Sequence, residues 1–310
     1  MAVAQTSFMQ SKMWADFKSK HGWSFQNHFD LFVLMHQLKW RFNFTYIPEI
    51  TLSPEHSFSA QVARSQSALS KSRTDTTIFG RAEFAVPYSE NGHKTLINAG
   101  FVKSKDEVQP AWRQVIDLKP SLAEIRRCMR SKGRYNLGLA EKKGVTVAHD
   151  KSQSAVEAFL MLNSATAKRK GFSGRSDAYL RSMIDALHDE KMGQLWVAKL
   201  DGVILSAAIV VFYGERASYL YGVSSDEHRS VMSPYLLHFA IMRAAKARGC
   251  TEYDLIGVAP DSASASHPWA GISRFKREFG GETVRYLGSY DRVYRPALYT
   301  IYRTMRGKVS

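Results

Sequence analysis

The feature that most constrains the fold is a two-residue turn between two long apolar segments. Asp201 and Gly202 separate residues 195–200 from Val203–Tyr213, and an Asp-Gly pair between apolar runs is typical of a tight β-hairpin. Helical patterns lie on both sides of this hairpin, and an apolar strand pattern follows at Glu252–Gly257. Helices mixed with antiparallel and buried strands in this order predict a layered α/β (α+β) domain.

The first hundred residues show the same mixture of strands and helices on a shorter scale. A strand predicted over residues 40–47 is expected to end at Pro48, because proline lacks the N–H group that a sheet ladder uses. In the strand predicted over residues 78–84, Arg81 and Glu83 occupy alternate positions. This alternation predicts that one face of the strand contacts water.

Residues 271–281 contain an unusual arrangement of aromatic and basic side chains. Phe275 and Phe279 are spaced to share one helical face, Lys276 points about a quarter-turn away, and a Gly-Gly pair suits the end of the helix. A phenyl ring beside a fixed ammonium can bind a nucleotide or stabilise an oxyanion. The alternative, favoured by periodicity alone, is two core phenylalanines with the cations in water.

The charge of the chain suggests its classes of partner. Of 310 residues, 43 are Lys or Arg and 28 are Asp or Glu, which gives a net charge of +15 and a pI of about 9.7. Nucleic acid, an anionic membrane surface and a phosphorylated substrate are the candidates, with solubility as the alternative. Since no run of five or six like charges occurs, the charge belongs to folded sequence rather than to a basic tail.

Several common classes of site find no support in the sequence. Cys128 and Cys250 are far apart and fit neither a disulfide framework nor zinc-ligand spacing. No phosphate-binding glycine loop, nucleophile elbow or zinc-protease helix occurs. With two thiols and no leader pattern, we expect a reducing cytosol. Asp254, at the end of a predicted strand, is a candidate catalytic carboxylate or a surface aspartate.

Short motifs occur in a fixed order from about residue 8 to residue 299. They are Phe8-Met9-Gln10-Ser11, Trp14, Lys18, Tyr46-Ile47-Pro48, Ile78-Phe79-Gly80-Arg81-Ala82-Glu83, Gln109-Pro110, Asp117-Leu118, Arg134-Tyr135, Ala140-Glu141-Lys142-Lys143-Gly144-Val145, Tyr253-Asp254-Leu255-Ile256-Gly257, Phe275-Lys276 and Phe279-Gly280-Gly281. As an ordered set, they resemble the Fem family of non-ribosomal peptidyl aminoacyltransferases. No long charged heptad stretch is present, so the chain resembles the compact branch of that family, which lacks a helical hairpin insertion.

The resemblance implies two GNAT-like (acyl-CoA N-acyltransferase-like) domains that face a cleft. Residues 1–113 with 289–310 would form the domain that binds the precursor. Residues 114–288 would form the domain that binds aminoacyl-tRNA and carries the catalytic residue.

The resemblance also implies an activity, which is transfer of an amino acid from aminoacyl-tRNA to an amine of a peptidoglycan precursor stem peptide. The product amide is an interpeptide bridge. The expected partners are aminoacyl-tRNA and a UDP-linked or lipid-linked muropeptide, with no metal and no other cofactor. Phosphates on both substrates would account for the positive charge. The protein is expected to be a cytoplasmic monomer that can contact the inner face of the membrane.

On the donor side, the resemblance assigns roles to the two residues of the Phe-Lys pair. Lys276 would be the catalytic residue, stabilising negative charge as the amine attacks the ester carbonyl. Phe275 would contact the terminal adenosine of the tRNA. Asp254 is a weaker candidate for a catalytic role.

On the acceptor side, the resemblance points to phosphate and peptide contacts. Lys18 and Arg175 would bind the diphosphate of the precursor, with Tyr179 supporting Arg175 from one turn further along the same helix. Tyr221 would line the channel for the acceptor peptide, with Tyr219 as the alternative register. Trp23 and Arg81 are weaker candidate site residues, with no role assigned to either.

Two other functions remain open on the sequence alone. One is aminoacyl-tRNA-dependent transfer to another acceptor, such as a peptide natural product or a protein N-terminus. The other is a non-catalytic module that binds RNA through its basic surface. An acetyl-CoA-dependent acetyltransferase is disfavoured, because the sequence has no pyrophosphate-binding loop of that class.

Overall fold

The structure is a computed structural model that describes residues 7–52, 55–170 and 174–306. The chain divides into two units, each with its own sheet and core. Unit 1 consists of Met1–Ala111 with Arg285–Ser310, and unit 2 consists of Trp112–Val284. None of the helices within the described ranges is both long enough and apolar enough to cross a bilayer.

Unit 1 is built on a mixed sheet in which one pair of neighbouring strands is parallel. Its elements are α1 (Lys12–Lys20), β1 (Trp23–His28), β2 (Leu31–Gln37), β3 (Asn43–Ile50), α2 (Phe58–Lys71), β4 (Thr77–Pro87), α3 (Glu90–Asn98), β5 (Val102–Lys103), β12 (Glu282–Val293) and α10 (Pro296–Arg306). The strand order is β1-β2-β3-β4-β12, with β5 beside β12. The parallel pair is β3 with β4, and α2 supplies the crossover that a parallel pair requires.

Unit 2 has a second mixed sheet and most of the helices. Its elements are β6 (Trp112–Asp117), α4 (Leu122–Cys128), α5 (Ser131–Lys142), β7 (Thr146–His149), α6 (Gln153–Lys170), α7 (Asp177–Asp189), β8 (Gly193–Leu200), β9 (Val203–Tyr213), β10 (Arg216–Ser224), α8 (Ser233–Ala247), β11 (Glu252–Gly257) and α9 (Ala270–Arg277). The strand order is β6-β11-β10-β9-β8-β7, and β10 runs parallel to β11 after the crossover helix α8.

The two units share one arrangement of strands. In unit 1 the antiparallel strands β1, β2 and β3 lead to the parallel strand β4, which is flanked by antiparallel β12. In unit 2 the antiparallel strands β8, β9 and β10 lead to parallel β11, flanked by antiparallel β6. The predicted fold class, α/β with two GNAT-like domains, is therefore confirmed at the level of each unit.

The predicted turn at Asp201 and Gly202 and one helix cap are both formed by residues that lie close together in the chain. Asp201 and Gly202 have φ of 50° and 80°, the left-handed conformations of a tight hairpin turn. Ser121 and Glu124 form a reciprocal capping box at the start of α4. These features depend on neighbouring residues, and each fixes where an element begins or turns.

Pro48 does not end its strand, contrary to the sequence-based prediction. Strand β3 continues to Ile50, and its pairing with β4 is irregular between Ile47 and Ile50. A proline is tolerated at such an irregularity, because a regular ladder hydrogen bond is not required there.

The prediction that one face of β4 contacts water is also wrong, since Arg81 and Glu83 are only 3% and 2% exposed. Arg81 donates from Nε to Asp291 Oδ1 at 2.7 Å, and the Tyr299 hydroxyl donates to the same carboxylate. Glu83 accepts from the Tyr46 hydroxyl at 2.6 Å. Burial of these charges is tolerated because each has hydrogen-bonded partners. The candidate site residue Arg81 is thus held in an ion pair inside unit 1.

Candidate functional site

The parallel strands β10 and β11 separate part-way along their length. They pair only over Arg216–Ser218 and Glu252–Asp254, although both strands continue. Beyond this point β10 has a bulge between Tyr219 and Tyr221, and β11 is irregular up to Gly257. The point of separation places side chains from β10 and β11 next to the last turn of α9.

Lys276 reaches this point from α9 and is 7% exposed. Its Nζ donates a hydrogen bond to the carbonyl of Gly257 at 2.7 Å and lies 5.8 Å from the centre of the Tyr219 ring. The alternative that the cations of residues 271–281 all face water is therefore wrong for Lys276. Burial lowers the pKa of its ammonium to about 8, and the charge of Asp254 offsets part of this effect.

Asp254 is a buried, paired carboxylate, so the alternative of a surface aspartate is wrong. It is 1% exposed, and its Oδ2 accepts from Arg113 Nη1 at 3.1 Å. Its Oδ1 accepts from the backbone N–H of Ile256 at 2.6 Å. Ile256 has a φ of 58°, a conformation that a β-branched residue adopts only when its surroundings enforce it. Asp254 therefore fixes the end of β11, where Gly257 meets Lys276.

An aromatic layer lies behind Lys276. His238 is 2% exposed, its Nδ1 is 2.8 Å from the Tyr253 hydroxyl, and its ring lies 4.6 Å from that of Tyr219. Burial, and then the charge of Lys276, lower the pKa of His238 to about 3. His238 is therefore neutral at physiological pH, and it adds no second positive charge beside Lys276.

Phe275 and Phe279 pack together as their spacing predicts. Their rings meet edge to face at 5.2 Å, and Phe275 also contacts Tyr235 and His238. Phe279 is fully buried, whereas Phe275 keeps part of its surface in contact with solvent. The Gly-Gly pair that follows has positive φ at both positions, which confirms the predicted stop. A contact between Phe275 and adenosine remains a prediction.

Arg175, Tyr179 and Tyr221 come together in unit 2. The Arg175 guanidinium lies 5.1 Å from the centre of the Tyr179 ring. Burial raises the pKa of Tyr221, and the charge of Arg175 and a hydrogen bond from it offset part of this. Burial and then Tyr221 raise the pKa of Tyr179 to about 12, with Arg175 acting in the opposite direction.

The prediction that Arg175 and Tyr179 lie on the same helix is wrong. Helix α7 begins at Asp177 with Ser176 as its N-cap, so Arg175 lies in the segment before it. Ser176 caps by accepting from the N–H of Tyr179, and this ends the helix before Arg175 can join it.

Lys18 and Trp23 form a cation–π pair in unit 1. The Lys18 ammonium lies 4.7 Å from the centre of the Trp23 ring and 5.9 Å from that of Trp14. Trp23 also stacks on His36 at 4.5 Å. The aromatic rings therefore hold the stem of Lys18 in place at the end of α1.

Arginines to which the sequence motifs gave no role line two adjacent cavities in unit 2. The cavities have volumes of about 560 and 260 Å³. Both are lined by Arg130, Arg277 and Asp261, and the smaller one also by Arg274. Arg277 donates from Nη2 to the carbonyl of Ala259 at 2.6 Å and pairs with Asp261 at 2.7 Å. Arg274 and Arg277 lie on the helix that carries Lys276, and Arg130 lies at the start of α5, so two elements supply the positive charge of these cavities.

Sequence reasoning missed the residues that other elements bring to this region of unit 2. Arg113, His238 and Arg130 lie far from residue 276 in the chain and match no short motif. The one available signal was the two arginines that flank Lys276 in sequence. Among the residues that the structure describes, no group of three or more His, Cys, Asp or Glu side chains is arranged to hold a metal ion.

Comparison with known proteins gives relatives for both sequence and fold. The model of the FemAB family matches residues 98–202 and 197–306. A lipid II:glycine glycyltransferase of Staphylococcus epidermidis is 23% identical, over 82% of this chain and 75% of its own length. The enzyme of that name from Staphylococcus saprophyticus is 24% identical over 67% of this chain. The chain spans only 64% of the length of that second relative.

Solved structures show that the fold is shared along nearly the whole chain. The crystal structure of FemX superposes with a TM-score of 0.85 and 20% identity, covering 97% of this chain and 96% of that one. The C-terminal domain of a putative lysylphosphatidylglycerol synthetase from Agrobacterium fabrum gives a TM-score of 0.56 at 14% identity, covering 92% and 88%. The family match covers well over half of the chain and ends beyond Lys276, and we conclude that this protein is a member of the FemAB family.

Proposed function

We propose that this protein transfers an amino acid from aminoacyl-tRNA to an amine of a lipid-linked or UDP-linked peptidoglycan precursor. The product is the amide of an interpeptide bridge. The observation that carries this proposal is Lys276, an ammonium held at the separation of β10 and β11. The names of the relatives, which are lipid II:glycine glycyltransferases, support the class of acceptor and the type of reaction.

The reaction needs stabilisation of one developing negative charge. An uncharged amine of the acceptor attacks the ester carbonyl, the C–N bond forms, and the ester C–O bond of the tRNA breaks. Lys276 donates a hydrogen bond to the oxyanion of the tetrahedral intermediate, a contribution typically worth about 3 kcal/mol. The proton lost by the amine passes through the ribose hydroxyls to the leaving 3′ oxygen.

Asp254 acts in this proposal as a positioning residue rather than as a general base. Both of its carboxylate oxygens already accept hydrogen bonds, from Arg113 and from the N–H of Ile256. A base must reach the proton of the attacking amine, whereas this carboxylate is 1% exposed.

The donor side of the site uses the cations around α9. Arg130, Arg274 and Arg277 line the two cavities, and phosphates of the tRNA acceptor end are the ligands that such arginines bind. Phe275 has an exposed part that can stack on the terminal adenine.

The acceptor side uses the Arg175, Tyr179 and Tyr221 cluster of unit 2. In unit 1, Lys18 and Trp23 are separate candidates for a contact with the precursor. Arg175 can grip a phosphate with two N–H groups, whereas Lys18 acts as a point charge. The proposal places this reaction in the cytoplasm and assigns it to a monomer.

The test is mass spectrometry of UDP-linked and lipid-linked muropeptides incubated with the protein and a pool of charged tRNA. We expect a mass gain of one amino-acid residue on one of the two acceptors. The gain disappears when the tRNA is omitted or Lys276 is replaced by Met. If neither acceptor gains mass while the wild-type protein is folded, the proposal is wrong, and a screen of other amine acceptors follows.

A further inference from the structure

An exposed apolar surface lies in unit 1, apart from all the residues assigned above. Trp40 is 78% exposed, and Ile301 and Met305 on α10 are 53% and 51% exposed. With Leu298 they line a groove of about 620 Å³. We call Trp40, Leu298, Ile301 and Met305 the Trp40 patch. Exposed tryptophan, isoleucine and methionine at one place are unusual on a protein surface and indicate a binding surface.

The backbone holds Trp40 in its outward position. Trp40 and Arg41 have φ of 58° and 67°, so two successive non-glycine residues occupy the left-handed region. They belong to a short turn, Lys39–Arg41, between β2 and β3, in which Trp40 does not have helical dihedral angles. The strands on either side fix this turn, and it presents the indole to solvent rather than to the core.

Two tyrosines anchor helix α10 to the core of unit 1. Tyr299 and Tyr302 pack on the ring of Phe79 at 5.2 and 5.0 Å. The spacing of Leu298, Ile301 and Met305 then places these three side chains along one face of the helix. The core of unit 1 thus fixes the helix and leaves an apolar stripe that core packing does not use.

Cations border the Trp40 patch. Lys39 and Arg41 flank Trp40 in the turn and are both exposed. Acidic side chains also line the groove, namely Asp106 and Glu107. The Glu107 carboxylate accepts hydrogen bonds from Lys103 and from the N–H of Ser289, so its charge is compensated locally.

We propose that the Trp40 patch docks unit 1 on an anionic lipid bilayer. Tryptophan and aliphatic side chains bordered by Lys and Arg match the interfacial region, where apolar groups enter the acyl boundary and cations meet lipid phosphates. A second copy of this chain fits less well, because a two-fold contact would bring Lys39 and Arg41 against the same residues. This inference goes beyond the proposed transfer reaction and does not depend on it.

The experiment is flotation of the full chain with vesicles of phosphatidylglycerol and phosphatidylcholine in equal amounts, compared with phosphatidylcholine alone. We expect the wild type to float with the anionic vesicles and to remain largely unbound with the neutral ones. Trp40→Ser and Ile301→Ser should each weaken partitioning about tenfold, since each removes an exposed apolar side chain that would be buried in the bilayer. Lys39→Ala should weaken it about fivefold, and only on anionic vesicles.

Met161→Ser is the matched control, because Met161 is 72% exposed and lies in unit 2. The proposal is overturned if the Trp40→Ser and Ile301→Ser variants float to the same extent as the Met161→Ser control. The proposal is also overturned if the wild type forms a concentration-dependent dimer that the Trp40→Ser variant does not form. In that case the Trp40 patch binds a second copy of the chain. Trp40 and Ile301 lie on separate exposed segments, and thermal unfolding of each variant shows that a loss of binding is not a loss of fold. Transfer to a soluble UDP-linked acceptor stays unchanged, which separates this test from that of the reaction.

Discussion

The amino group of Lys276 and the carbonyl of Gly257 are joined by a hydrogen bond of 2.7 Å. This bond ties the last turn of α9 to the end of β11. An ammonium has three N–H donors, so a substrate oxygen can be bound while this bond is kept. Lys276 is therefore pre-positioned by the fold, and its charge requires no reorganisation when a substrate arrives.

Replacing Lys276 by Met should lower the rate of the chemical step by about 10²–10³, the usual loss for one oxyanion donor. The substitution keeps the length of the side chain, and it removes a charge whose burial is unfavourable. Single-turnover transfer and thermal unfolding are the measurements. Full activity in a folded Lys276→Met protein would exclude the catalytic role.

The pH dependence of transfer should show a fall on the alkaline side near pH 8. Burial puts the pKa of Lys276 at about 8, and only the protonated form donates to the oxyanion. This fall should be absent from the activity that remains in Lys276→Arg, because a guanidinium stays charged.

Unfolding of the protein cannot account for the predicted fall in transfer activity near pH 8. The folded-state pKa lies below the 10.5 of an exposed lysine, so the unfolded chain binds more protons between these values. The contribution of Lys276 to stability therefore rises with pH across this window. If denaturant midpoints dropped above pH 8 together with activity, this explanation would fail.

Replacing Asp254 by Ala should destabilise unit 2 by about 3–5 kcal/mol, because it removes the carboxylate that compensates the charge of the buried guanidinium of Arg113. The double variant Arg113→Met with Asp254→Leu should lose less stability, since it removes both charges. Chemical denaturation of the two variants is the test. Equal losses would mean that the ion pair is not the main contribution of Asp254.

Replacing Arg175 by Lys should raise KM for the muropeptide by about tenfold, because a lysine cannot make the bidentate contact to phosphate. The kcat should remain close to that of the wild type, since Arg175 is assigned to binding. Tyr179→Phe is the milder control, as it keeps the ring beside Arg175. A fall in kcat at unchanged KM would contradict the assignment.

Replacing Arg274 by Ala should weaken tRNA binding and reduce the slope of log affinity against log salt by about 1. The control is Arg181→Ala, because Arg181 is also partly exposed but pairs with Glu157 on the surface of unit 2. Filter binding across a salt series measures both. If the two variants have the same slope, the arginine-lined cavities do not bind RNA phosphates.

Features that depend on neighbouring residues could be predicted from the sequence. The turn at Asp201 and Gly202, the capping box of Ser121 and the contact between Phe275 and Phe279 all arise within a few residues. Local patterns of this kind carry their own physical cause, and the structure forms them as expected.

Features that depend on distant partners could not be predicted in this way. Arg81 and Glu83 alternate like a solvent-facing pair, but the partner of Arg81 is Asp291, 210 positions away. Asp254 could not be distinguished from a surface aspartate because Arg113 lies 141 positions before it. Periodicity reports the polarity of a face, whereas burial of a charge depends on what the rest of the fold places opposite it.

Arg81 and Asp291 form an ion pair although they lie 210 positions apart in the sequence, and this has a consequence for synthesis of the chain. Unit 1 needs β12, and the ribosome releases that strand only after the whole of unit 2 has been synthesised. Unit 2 is continuous and can fold first, whereas nascent unit 1 must wait with the charge of Arg81 uncompensated and one side of β4 unpaired. Translation that pauses before β12 therefore leaves an aggregation-prone intermediate, and this is the stage at which a chaperone would have the greatest effect on yield.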